Sequence, residues 1–134
     1  MEFEEGIFVM PLEDQGDQRG ESFALPNELF EFLGTVEEVH LAEIEVGAVR
    51  GNHGHSHKKE VLVVWHEDRC RFGWKKQAEL KITEFNGKGA LLIAIEPMVL
   101  HALKNTGDEI VRIVAFSNMK HDPDKSDTYW ETLL

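Results

Sequence analysis

Apolar residues fall along the chain in short runs of the length and spacing of β-strands. Residues 60–66 (Glu-Val-Leu-Val-Val-Trp-His), 69–76, 79–85, 90–95 and 110–117 each read as a strand, and so do Ile7 to Met10 and Glu21 to Leu25. Turn sequences separate them: His66-Glu67-Asp68, Asn86-Gly87-Lys88-Gly89 and Asn105-Thr106-Gly107-Asp108. From Glu38 to Val46 the pattern alternates with one parity break near Ala42, which predicts a bulge there. One segment has a different character. Pro26 to Leu33 has proline near its first turn and Gly34 just past its end, which predicts a short helix with Leu29, Phe30 and Leu33 towards the core. Many short strands and a single helix predict an all-β sandwich or barrel.

The most informative stretch is polar. His53 and His55 lie two apart, so on a strand they point the same way. Glu60 has the opposite parity and needs a turn before it, for which Ser56 to Lys59 is long enough. Two adjacent strands then aim His53, His55 and Glu60 into one cavity. A third histidine, His101, lies in Pro97-x-x-x-His101-x-x-x-Asn105. Three imidazoles and one carboxylate form a ligand set for one divalent metal (Zn, Fe, Mn or Ni) and leave positions open for water or substrate. His57 extends the run as an alternative ligand or a base. His40, His66 and His121 have no visible partner and read as surface residues.

Composition narrows the picture further. The 134 residues are 42% hydrophobic, enough for one domain with its own core. The net charge of −11 argues against nucleic acid and against an anionic membrane surface, both of which select cationic proteins. A single anionic small molecule held by a few arginines remains compatible with it. The only cysteine, Cys70, alternates with Arg69 and Arg71 and reads as a small packed side chain. One cysteine and an acidic start unlike a signal peptide fit a cytoplasmic protein. Trp65, Phe72, Trp74 and Phe85 read as core or interface aromatics rather than sugar platforms. The polar stretch from His121 to Leu134 is expected to lie over the outside of the barrel.

Gly47, His53, His55 and Glu60 followed by Pro97, His101 and Asn105 resemble the two motifs of the cupins. That resemblance implies a double-stranded β-helix, or jelly-roll, barrel with the metal at its centre. Asp17-Gln18-Arg19-Gly20, Arg50-Gly51-Asn52-His53 and Asp122-Pro123 through Asp127-Thr128-Tyr129 resemble a narrower group. Its members are the cupin domains of capsular-polysaccharide reductases, the dTDP-sugar 3,4-ketoisomerases and the dTDP-4-dehydrorhamnose 3,5-epimerases. This likeness implies an isomerase or epimerase of a nucleotide-activated keto-deoxysugar in polysaccharide biosynthesis, active as a homodimer. It places Arg19, Arg50 and Asn105 at the substrate and His53 as a base. A complete 3,5-epimerase mechanism is not expected, because the only tyrosine, Tyr129, lies in the tail. A metal-assisted route through an enediol would use His57 or Lys104 to carry protons. Two other functions fit the same residues: an Fe(II)-type small-molecule dioxygenase, and a non-catalytic sugar- or metal-binding module.

Overall fold

A computed structural model describes residues 1–77 and 79–134. In chain order it comprises β1 (Ile7–Pro11), α1 (Glu28–Leu33), β2 (Glu38–Ile44), β3 (Val49–His55), β4 (Glu60–His66), β5 (Cys70–Lys75), β6 (Lys81–Phe85), β7 (Gly89–Ile95), β8 (Leu100–Asn105), β9 (Val111–Ser117) and β10 (Thr128–Trp130). The strands form two antiparallel sheets, ordered β1-β7-β4-β9-β2 and β10-β3-β8-β5-β6. Their facing surfaces enclose the core, in which Phe72, Val64, Ile93, Val99 and Cys70 are fully buried. This is the jelly-roll barrel of the cupins. Cys70 is the packed residue expected of it, and burial pushes its thiol up to about 11. Phe72 and Trp74 stack in the core with ring centroids 5.4 Å apart.

A second apolar cluster lies on the outer face of the first sheet. Leu29 and Leu33 of α1, one turn apart, cover Val61, Leu92 and Ala94. Strands β4 and β7 are therefore buried on both faces, which is why Val61–Val64 and Ala90–Ile95 are continuously apolar instead of alternating. Phe30 points away from this contact and is 45% exposed, contrary to the helix face expected from sequence. Phe32 packs instead, stacked 5.3 Å from Phe3.

Four other expectations need correction. Glu21–Leu25 is not a strand: the Ser22 N–H donates to the Asp14 carboxylate at 3.0 Å and its carbonyl accepts from Gln15, which closes a loop. β2 has no bulge and pairs without interruption from Glu38 opposite Ser117 to Ile44 opposite Val111. Its parity break arises because Val39 and Leu41 lie on the outer face, 54% and 73% exposed, beside the inward Ala42 and Ile44. His66 is not a surface residue; it is buried, and its Nδ1–H donates to the Gly87 carbonyl at 2.6 Å. β8 and β10, which the apolar pattern misses, are both strands of the second sheet. β8 escapes notice because its inward positions include His101 and Asn105, which invert the usual polarity.

The bulge sits in β3. Gly51 pairs with Ala102 and His53 with His101, so Asn52 is the extra residue. Gly51 and Asn52 have φ of 97° and 57°. A Cβ on Gly51 would lie 2.7 Å from the His101 carbonyl oxygen, so backbone conformation and space both select glycine. Gly51→Ala is expected to cost about 1–3 kcal/mol, seen as a lower midpoint in thermal denaturation. An unchanged midpoint would mean that the bulge tolerates a side chain.

Candidate active site

The slip in β3 decides which side chains meet. Arg50 pairs with Leu103 and His53 with His101, so two residues three apart in sequence both face the cavity. Without the extra residue they would point to opposite faces. Across the barrel, β4 contributes Glu60 and Leu62 to the same space, and β9 contributes Ile113 and Ala115. The result is a cavity of about 200 Å³ with His53, Glu60 and His101 at its polar end and Leu62, Leu103 and Ile113 at its apolar end.

The expected turn before Glu60 is present, and the tail organises it. Asp127 Oδ2 accepts from the N–H groups of His57 and Lys58, both at 2.9 Å. The Asp127 carbonyl accepts from Ser56. Asp127 Oδ1 lies 3.2 Å from His55 Nδ1, and Thr128 Oγ1 is also 3.2 Å from that nitrogen. The other ring nitrogen, Nε2, is 3.0 Å from Glu60 Oε1. His55 is thus clamped between two carboxylates. Burial opposes its protonation, but Glu60 and then Asp127 outweigh burial and raise its pKa above the ordinary imidazole range.

The neighbouring imidazoles are driven the other way. Burial, reinforced by His101, lowers His53 to about 4 although Glu60 opposes the shift. Burial also lowers His101, whose Nδ1–H donates to the Val99 carbonyl at 3.0 Å and leaves an unprotonated Nε2 3.6 Å from Glu60 Oε1. Burial would raise Glu60, but contact with His55 and the surrounding imidazoles keep it well below the usual carboxylate range. His53, Glu60 and His101 each offer a ligand atom, and these atoms lie within 4.8 Å of one another. His53 Nδ1 and Glu60 Oε1 are buried without a well-aligned hydrogen bond. Three of the four candidate ligands therefore converge, with His55 held beside them.

The remaining candidates divide. Arg50 lines the cavity, with its Nε–H donating to the Glu43 carbonyl at 2.6 Å. Asn105 is structural: its amide donates to the Ile44 and Glu109 carbonyls at 2.9 and 2.8 Å and its oxygen accepts from Gly107. Lys104 has the opposite parity to His101 and Leu103 and points off the other face of the sheet. His57 is exposed and brings only its backbone to the site. Arg19 chelates Asp17 at 2.6 Å in an exposed turn. That turn lies near Lys88 and Gly89, at the end of β4 remote from Glu60.

Four residues that sequence reasoning left out do reach the site: His40, Lys58, Asp127 and Trp130. His40 could have been found from the parity of β2, which it shares with Ala42. The tail does not simply cover the outside of the barrel. β10 pairs with β3 and sets the Trp130 ring 5.1 Å from that of His53. Residues 121–126 and Trp130 are exposed as expected of an outer tail, and Leu134 packs on Gly73.

A jelly-roll barrel with an inward cluster of histidines and a carboxylate on β3, β4 and β8 has the fold of a cupin. More particularly, the chain belongs to the polysaccharide biosynthesis C-terminal domain family, whose sequence model matches residues 15–129. No curated protein sequence matches it significantly. Among solved structures, it resembles the 3,4-ketoisomerase QdtA from Thermoanaerobacterium thermosaccharolyticum in complex with TDP-4-keto-6-deoxyglucose. The TM-score is 0.69 at 16% identity, over 92% of this chain and 86% of that one. It also resembles NovW, a 4-keto-6-deoxy sugar epimerase from the novobiocin cluster of Streptomyces spheroides, with TM-score 0.74 and 14% identity over 94% and 69% of the two chains. The capsular polysaccharide assembling protein CapF from Staphylococcus aureus matches at TM-score 0.66 and 22% identity, over 92% of this chain but 35% of CapF. At these identities the likeness establishes the fold. Among the described residues, no helix is long and apolar enough to cross a membrane.

Asp127 gives a test of how the site is held together. Burial raises its pKa, but the N–H groups of His57 and Lys58, then His55, lower it on balance. A depressed carboxylate contributes stability above its unfolded pKa and loses it as pH falls through the folded value. Asp127→Asn should therefore be less stable than the parent by about 1–3 kcal/mol at neutral pH. The gap should shrink below about pH 4 as Asp127 in the parent takes up its proton. Denaturant melts at both pH values check this, and a gap independent of pH would show that the carboxylate charge is not what seals the turn.

Proposed function

We propose that the chain is an isomerase or epimerase of a nucleotide-activated keto-deoxysugar. The observation that carries this reading is the pair His53 and His55, with ring centroids 5.1 Å apart and environments that push their protonation in opposite directions. Moving a proton to or from the carbon beside a ketone needs an uncharged base and a protonated acid at the same carbonyl. His53 is held neutral, and its Nδ1 has no partner among the described residues. His55 is held towards its protonated form, with Asp127 and Glu60 fixing the ring. Environments that separate the pKa values of neighbouring groups assign acid and base between them. Arg50, at the cavity wall, offers a planar donor fork to a substrate oxygen. The fold shared with a ketoisomerase and a keto-sugar epimerase supports the same substrate class.

The donors also fit a divalent metal. His53, Glu60 and His101 would hold it, and the unpartnered buried His53 Nδ1 supports the fit. A bound metal supplies Lewis acidity towards a carbonyl or enediolate oxygen. His53 would then be a ligand, leaving His55, backed by Asp127, to handle protons.

Two measurements test these statements. Incubation with TDP-4-keto-6-deoxyglucose in D₂O, followed by NMR, should show deuterium entering at the carbon next to the ketone; its absence after prolonged incubation would sink the keto-sugar reading. Elemental analysis should find about one equivalent of metal, and His101→Ala should bind it at least about tenfold more weakly while keeping the fold. No metal in the parent after reconstitution would leave His53 as the free base.

A further inference from the structure

The side chains that line the cavity lie at three depths, fixed by strand pairing. His53 pairs with His101, and His101 Nε2 lies 3.6 Å from Glu60 Oε1, so these three form the outermost layer. Leu62 and Leu103 come two residues further along β4 and β8, about 6.6 Å deeper at the rise of a strand. Leu62 pairs with Ala115 and Ala115 with His40, whereas Leu103 pairs with Arg50. At this depth the wall from β4, β8 and β9 is apolar, and the opposing wall from β2 and β3 carries His40 and Arg50. Ile113 and Ala42, paired with each other, lie one step deeper. Val64 beside Ile113 and Val111 beyond it are buried, so the core begins there.

The mouth joins the outermost layer. A basin of about 350 Å³ with His121 and Trp130 on its walls shares His53 and Glu60 with the cavity. A nucleoside diphosphate is too large for an inner cavity of about 200 Å³, so it stays in the basin while the sugar ring enters. C1 of the sugar, which carries the diphosphate, then faces the mouth. The two carbons beside a C4 ketone are C3 and C5, and placing one of them deep lifts the other towards His53. C3 carries a hydroxyl. In a 6-deoxy sugar C5 carries a methyl group. A hydroxyl against Leu62, Leu103 and Ile113 would lose its hydrogen bonds to water without replacement, whereas a methyl gains by leaving water.

We propose that Leu62, Leu103 and Ile113 form a pocket for the C5 methyl of a 6-deoxy sugar and thereby direct proton transfer to C3 instead of C5. The inference rests on the keto-sugar reading above. When the C3–H bond breaks, its proton passes to the base and its electron pair forms the C3–C4 double bond. The carbonyl π pair moves onto the C4 oxygen. Return of a proton to C3 reverses the flow, and no oxidant or reductant enters.

Two readouts test this on the whole chain. Calorimetry compares TDP-6-deoxyglucose with TDP-glucose, which differ only in the hydroxyl on C6 and need no turnover. The deoxy ligand should bind at least about tenfold more tightly. Ile113→Thr, which brings a hydroxyl to the pocket, should narrow that ratio at least about threefold, and Ile113→Val should keep it. Both variants are first checked for an intact thermal transition; if Ile113→Thr does not fold, the parent's ratio decides. In D₂O, TDP-4-keto-6-deoxyglucose should gain deuterium at C3 and retain its proton at C5. Equal affinities overturn the proposal, as does deuterium entering C5 as fast as C3, and in either case exchange keeps the keto-sugar reading. Without exchange at either carbon the isomerase reading fails and the affinity ratio alone decides the pocket. If the parent binds neither ligand, both fall.

Discussion

The site depends on one extra residue in β3. Asn52, in a left-handed conformation, shifts the pairing of β3 against β8 and turns His53 inward with Arg50 still facing the cavity. The same residue anchors the C-terminus. Its side-chain oxygen accepts from the N–H groups of Leu133 and Leu134 at 2.8 and 3.2 Å, its amide donates to the Leu134 carbonyl, and its own carbonyl accepts from Glu131. The bulge therefore aims the central histidine and holds the tail that brings Asp127 and Trp130 to it. A regular β3 would lose both, since a one-residue slip sends each following side chain to the other face.

The tail in turn decides what His55 is. An imidazole two residues from His53 on one strand is equivalent to it by spacing alone, and both read as metal ligands. Asp127 breaks the equivalence by occupying Nδ1 while Glu60 lies against Nε2. His53, driven by burial and by the neighbouring His101, is pushed towards neutrality although Glu60 opposes it. Two like residues thus acquire unlike chemistry from contacts more than seventy positions away in sequence.

This explains which parts of the molecule are legible in the sequence. The barrel is legible because β4, β5, β7 and β9 carry apolar runs of strand length, and the spacing of His53, His55, Glu60 and His101 locates the cavity. Strands whose inward positions are polar are not legible: β8 hides behind His101 and Asn105, and β10 is too short and polar to register. Motif position suggests roles for Asn105 and Arg19, and Lys104 is a candidate proton carrier, but side-chain direction is set by pairing. Asn105 faces inward yet gives its hydrogen bonds to backbone at the β8–β9 turn, Lys104 faces outward, and Arg19 is held by Asp17. The importance of Asp127 follows from tertiary contact alone.

The net charge of −11 and the anionic substrate proposed above are reconciled by where the charge lies. Coulomb interactions between exposed groups fade within about 8–10 Å at ordinary salt, so acidic residues scattered over the surface act weakly on the cavity. Inside it the balance differs. Glu60 is offset by the protonated form of His55 that it favours, and Arg50 stands at the wall. Apolar Leu62, Leu103 and Ile113 behind them reduce the local dielectric, so each of these charges acts more strongly there than the same charge does in water. A small anionic ligand would therefore respond chiefly to the few groups lining the barrel interior, and the acidic exterior serves instead to discourage polyanions such as nucleic acid.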